Sequence, residues 1–167
     1  PDGHIASGQS FWVKATGVNP VLIIREGVKV TNDASFYRTT QTRIPGFSLA
    51  LTRDGLTDKV YYKIRKGATE ELDDWDAVKL DNDQFDISTV LPDRTSLAIR
   101  ARDKLPCYSE VIQIGIKDLT IGSYSLSLTT KLDFRNFHYT LVDHFLQRET
   151  LLSTESSVEI VVTEDTA

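Results

Sequence analysis

The chain has 167 residues, 40% of them hydrophobic and 26% charged, a globular balance rather than a disordered one. Its net charge of −5 argues against a nucleic-acid binder, which would carry a basic patch. No apolar run reaches the ~18–20 residues that a membrane-spanning helix needs.

Ser10–Ala15 alternates, with Phe11, Val13 and Ala15 on one face and Trp12 and Lys14 on the other, as a strand requires. Gly17 and Asn19-Pro20 then supply a turn. Val21–Ile24 is a continuous apolar run, which predicts a strand buried on both faces. Thr31–Ser35 has turn composition, and Phe36-Tyr37-Arg38 predicts a short edge strand.

Phe47, Leu49 and Leu51 alternate up to Asp54-Gly55, a hairpin signal. The partner strand carries Val60, Tyr62 and Ile64 inward and Tyr61, Lys63 and Arg65 outward. Residues 68–86 break the pattern. They hold Glu70, Glu71, Asp73, Asp74, Asp76, Asp81, Asp83 and Asp86, with Leu72, Trp75, Val78, Leu80 and Phe85 as apolar anchors. A long acidic loop with a short strand near Val78 is expected, and the spacing of Leu72, Trp75 and Val78 admits one or two helical turns.

Strands resume at Ile87–Val90, at Leu97–Ile99 and at Val111–Ile116, where Ile112, Ile114 and Ile116 face the core. Gly122–Thr129 alternates most cleanly: Tyr124, Leu126 and Leu128 on one face, Ser123, Ser125 and Ser127 on the other. Tyr139 with Leu141, and Val158, Ile160 and Val162, close the series, with Leu151-Leu152 between them. Roughly ten to twelve strands with frequent turn signals predict an all-β, antiparallel two-sheet sandwich, jelly-roll-like, over residues 1–167 as one domain.

Several residue groups qualify as sites. Closely spaced carboxylates suit Ca²⁺, which takes about 6–8 oxygens, and Asp73, Asp74, Asp76 and Asp81 are the candidate ligands. The run lacks the EF-hand layout, with no glycine between Asp73 and Asp86, and a charge run is ordinarily a solvated surface. Ca²⁺ is therefore the one cofactor to consider, and none is the default. Trp12, Tyr61 and Trp75, with Tyr37, could offer a stacking face to a sugar, although aromatics more commonly pack, and Trp75 is expected to pin the acidic loop. His4, His138 and His144 are too scattered for a metal motif, and no serine sits in a nucleophile elbow. Cys107, the only cysteine, is expected to be a small packed residue and not a nucleophile.

Ile5-Ala-Ser-Gly-Gln-Ser-Phe-Trp-Val-Lys-Ala15 resembles the I-A-x-G-Q-x-F-F-V-K-A opening of a β-rich domain. That domain lies near the C-terminus of large exported proteins of the Bacteroidota, ahead of the sorting signal read by the type IX secretion system. Further matches are Phe36–Arg38, Trp75–Leu80, Ile87–Thr89, Leu97–Ile99, Gly122–Leu126 and Tyr139–Asp143 with Phe145-Leu146, so the resemblance spans almost the whole chain. The "R-F"-containing end usual after a segment like Val158–Ala167 does not occur here.

The resemblance implies a piece excised from a larger secreted or cell-surface protein, and no activity of its own. The expected role is a non-catalytic adhesive, interaction or spacer module. Its partners would be neighbouring domains of the parent protein, a glycan or a surface protein, with no nucleic acid and no membrane span. The alternative expectation is a carbohydrate-binding module attached to a secreted hydrolase.

Overall fold

The structure, a computed structural model, describes residues 13, 15–25, 44–104 and 109–164. Trp12, Phe36–Arg38 and Cys107 lie outside the described residues, as does most of the expected first strand. The chain falls into two compact units, Pro1–Thr42 and Arg43–Ala167.

In the first unit the described residues form no strand; Gly17–Asn19 is a bend, with Asn19 at a positive φ of 54°. The expected strand at Val21–Ile24 is corrected accordingly. An apolar run suits a buried strand, but a strand exists only where a neighbouring backbone completes its hydrogen-bond ladder.

Among its described residues the second unit is all-β apart from one 3₁₀ turn at Leu132–Asn136. Strand β1 (Gly46–Arg53) turns through Asp54-Gly55 into β2 (Leu56–Ile64). Both turn residues have positive φ, 50° and 80°, the geometry that matches the twist of paired strands. On the other side of β1 lie β7 (Gly122–Lys131) and then β10 (Ser157–Val162), all antiparallel. The inward residues follow from the alternation: Leu49 and Leu51, Val60, Tyr124, Leu126 and Leu128, and Val162 are buried in one cluster.

Beyond β2 the expected all-antiparallel pattern fails. Strand β5 (Ser96–Arg102) runs parallel to β2, with Tyr61 opposite Ile99 and Ile64 opposite Arg102. Parallel neighbours need a long crossover, and residues 65–95 supply it. That crossover holds β3 (Ala77–Val78) and β4 (Asp86–Val90), and β4 pairs in turn with β6 (Ile114–Lys117). The main sheet therefore runs β10-β7-β1-β2-β5-β4-β6, with β3 attached to β5.

Strand β5 is where this sheet curls. Leu97 pairs with Thr89 of β4 and, across its other edge, with Val78 of β3. Ile99 pairs with Tyr61 of β2 and, across that other edge, with Ala77. Strands β4 and β2 thus share one edge of β5 end to end. Phe85 and Ile87 consequently reach the cluster formed by β1, β2 and β7.

A separate hairpin, β8 (Tyr139–Asp143) with β9 (Arg148–Leu152), adds Tyr139, Leu141 and Leu152 to the core's margin. Phe47 links the two parts: its ring stacks on Tyr62 (5.2 Å) and meets Tyr139 edge-on (5.3 Å).

Candidate functional site

The segment that sequence sets apart, residues 68–86, is a strap along the outer edge of β5. It forms turns and β3 but no helix. The expected apolar anchors do not hold it: Leu72, Trp75, Val78 and Leu80 are all about half exposed, and only Phe85 is buried. The strap is fastened by charge instead. The carboxylates that matter most are those of Asp76, a candidate calcium ligand above, and of Asp86.

The first fastening is Asp76. Its side chain has no solvent exposure, and its Oδ2 accepts from Arg100 Nη1 at 3.1 Å. Its Oδ1 accepts the Ala101 amide at 2.7 Å, so the carboxylate continues the β5 ladder one step beyond β3. Arg100 also donates to the Glu70 and Glu71 carbonyls, so the guanidinium is spent on the strap's backbone. The register of β5 with β2 sets Arg100 beside Tyr62, and Arg100 is buried.

The second fastening is a triad. Lys79 Nζ lies 2.5 Å from Asp58 Oδ2 on β2 and 3.3 Å from Asp86 Oδ1 at the start of β4. Side-chain exposures are 7% for Lys79, 15% for Asp58 and 3% for Asp86. Asp58 Oδ2 also accepts the Ile87 amide at 2.7 Å, and Asp86 accepts the Asn82 amide. Burial pushes the Asp58 carboxyl up, but the Lys79 ammonium and the Ile87 amide outweigh it and hold it below the ordinary aspartate value.

The other strap acids are placed differently. Asp73 accepts from the Thr69 amide (2.6 Å) and the Trp75 amide (2.8 Å); these bonds lower its pKa. Asp74 and Asp81 are exposed. The four candidate calcium ligands are thus spread over a buried ion pair, a turn and open surface. No group of three or more metal-ligating side chains is gathered among the described residues.

The candidate aromatics Tyr61 and Trp75 are exposed, and each is matched to a cation. Lys63 Nζ sits 5.3 Å from the Tyr61 ring centre and the Arg65 guanidinium 5.5 Å from that of Trp75. Burial, and then repulsion from Arg65 and Lys131, keep Lys63 below the ordinary lysine pKa. The outward face of β2 is therefore a mixed aromatic and cationic patch in an acidic chain. Trp12 lies outside the described residues.

A hollow of about 580 Å³ lies elsewhere, between β7 and the β8–β9 hairpin, lined by Thr129, Arg135, His138, Tyr139 and Leu152 among others. Neither Tyr61, Trp75 nor the strap contributes to it. Comparison with protein-family models, curated proteins and solved structures returns no match to this chain.

Proposed function

We propose that the chain is a non-catalytic module of a larger secreted or cell-surface protein, a stiff spacer whose β2 face offers a contact patch. The fastening of the strap carries this reading. A long crossover that could have been a loose loop is tied at Asp76 to β5 and at Lys79 to both β2 and β4. Buried, fully hydrogen-bonded charge rigidifies a fold more than it stabilises it. The export setting rests on the residue resemblance described above. The curl at β5, with Ile87 packed into the β1–β2–β7 cluster, supports a sandwich-like layering of the one sheet.

The Tyr61, Lys63, Arg65 and Trp75 patch suits an acidic partner surface. The carbohydrate-binding alternative needs an open aromatic face, and here each ring is shared with a cation. Single-molecule pulling of the chain from its ends tests the spacer reading. One cooperative rupture for the β unit, weakened in Asp76→Ala, is expected; stepwise yielding at low force in both proteins overturns it. A glycan array decides the alternative: retention lost on Trp75→Ala would replace the spacer with a sugar binder.

A further inference from the structure

The triad brings together the three groups that an amide condensation uses. An amine and a carboxyl from segments far apart in sequence are held at 2.5 Å, mostly out of water, with a second carboxylate 3.3 Å from the same nitrogen. We propose that Lys79 and Asp58 condense to an intramolecular amide, with Asp86 as the proton shuttle.

The chemistry closes on these three groups. The ion pair is the resting form, and a proton passes from the Lys79 ammonium to Asp58 across their short contact. That gives the neutral amine and the neutral acid that condensation requires. The Lys79 nitrogen then attacks Asp58 Cγ, forming the C–N bond and a tetrahedral centre. Asp86 takes a proton from the now cationic nitrogen and returns it to the departing hydroxyl, which leaves as water. The C–O bond to that hydroxyl breaks, the remaining oxygen becomes the amide carbonyl, and Asp86 ends as it began. Lysine plus aspartate gives amide plus one water, with no oxidant, cofactor or second substrate.

The fold supplies what free lysine and aspartate lack. Pre-positioning replaces a bimolecular encounter. The Ile87 amide, 2.7 Å from Asp58 Oδ2, fixes the orientation of the carboxyl beside the amine. The Asn82 amide holds Asp86 in place. The product ties β2 to the strap covalently. That bond would form whether or not the module serves as a spacer, and it adds a tether no unfolding force on that loop could release.

Intact-mass spectrometry of the purified, fully denatured chain is the test, with tandem sequencing of its digest. A mass lower than the sequence mass by one water, and a branched peptide joining the segments around Asp58 and Lys79, is the expected result. The full sequence mass overturns the proposal and leaves a plain ion triad. A water loss mapping to Asp54-Gly55, where a succinimide forms easily, overturns it equally. Lys79→Arg keeps the cation and cannot form the amide, so it must show its full sequence mass and run more slowly than the native chain on a denaturing gel. Asp86→Asn must abolish or greatly slow the water loss while the fold persists by circular dichroism. Should either variant fail to fold, the native digest alone decides the matter.

Discussion

Arg100 and Asp76 meet at 3.1 Å with 7% and 0% of their side chains exposed, a closed ion pair beneath a strap that is otherwise half in solvent. Removing one partner strands the other, and breaking such a buried pair costs about 3–5 kcal/mol. Asp76→Ala also deprives the Ala101 amide of its acceptor. Its urea midpoint should fall by that much stability, and Arg100→Met should fall similarly. The double variant, with no charge left to strand, should recover part of the loss. Strict additivity of the two single losses would show that the pair is not coupled.

The alkaline limb of stability should be set by two tyrosines. Burial pushes the Tyr139 phenol up to about 12, and burial together with the Glu110 carboxylate, 2.6 Å away, pushes Tyr62 up further still. A raised folded pKa means that the unfolded chain loses its proton first. Stability from these groups is therefore complete below the ordinary tyrosine pKa and declines as pH rises above it. Urea midpoints measured upward from neutral pH should drop through that range. Tyr139→Phe should flatten the drop, and an unchanged slope in that variant would exclude Tyr139 as a cause.

Alternation made most of the second unit readable, because each strand of the β1–β2–β7–β10 group has one wet face. The Asp54-Gly55 turn, the inward set of β7 and even the short β3 were visible for that reason. The parallel β2–β5 pairing was not, since it depends on a crossover whose path no local pattern encodes. The strap misled in a different way. Eight acids in a run read as solvated, yet Asp76 and Asp86 are buried because their cations come from Arg100, on a distant strand, and from Lys79 within the run. No local signal marked this pair: alternation sets Arg100 on the face opposite Leu97 and Ile99, and it is the register with β2, Tyr62 beside Arg100, that accompanies its burial.

Two glycines should fail on substitution for different reasons. A Cβ on Gly46 would lie 2.1 Å from the Tyr62 carbonyl oxygen, which is fixed in the β1–β2 ladder. Backbone cannot yield as a side chain can, so Gly46→Ala should cost about 3 kcal/mol, the upper end of ordinary overpacking. Gly55 has open space around it, and only its φ of +80° resists a side chain. Gly55→Ala should cost about 1–2 kcal/mol. Thermal denaturation of the pair should preserve that order; the reverse order would mean that the start of β1 can relax away from β2.

Calcium gives the last expectation. Both oxygens of Asp76 are engaged, one by Arg100 and one by the Ala101 amide. Both oxygens of Asp73 are engaged by the Thr69 and Trp75 amides. A metal at the strap would have to displace a guanidinium from an enclosed site or dismantle a turn, leaving buried donors unpaired. A ligand that binds only the folded state raises the melting midpoint by mass action. Melts in millimolar Ca²⁺ and in EDTA should therefore coincide. A calcium-dependent rise that vanishes in Asp73→Ala would show that the strap rearranges to bind the ion, and that the contacts of Asp73 are those of an unloaded site.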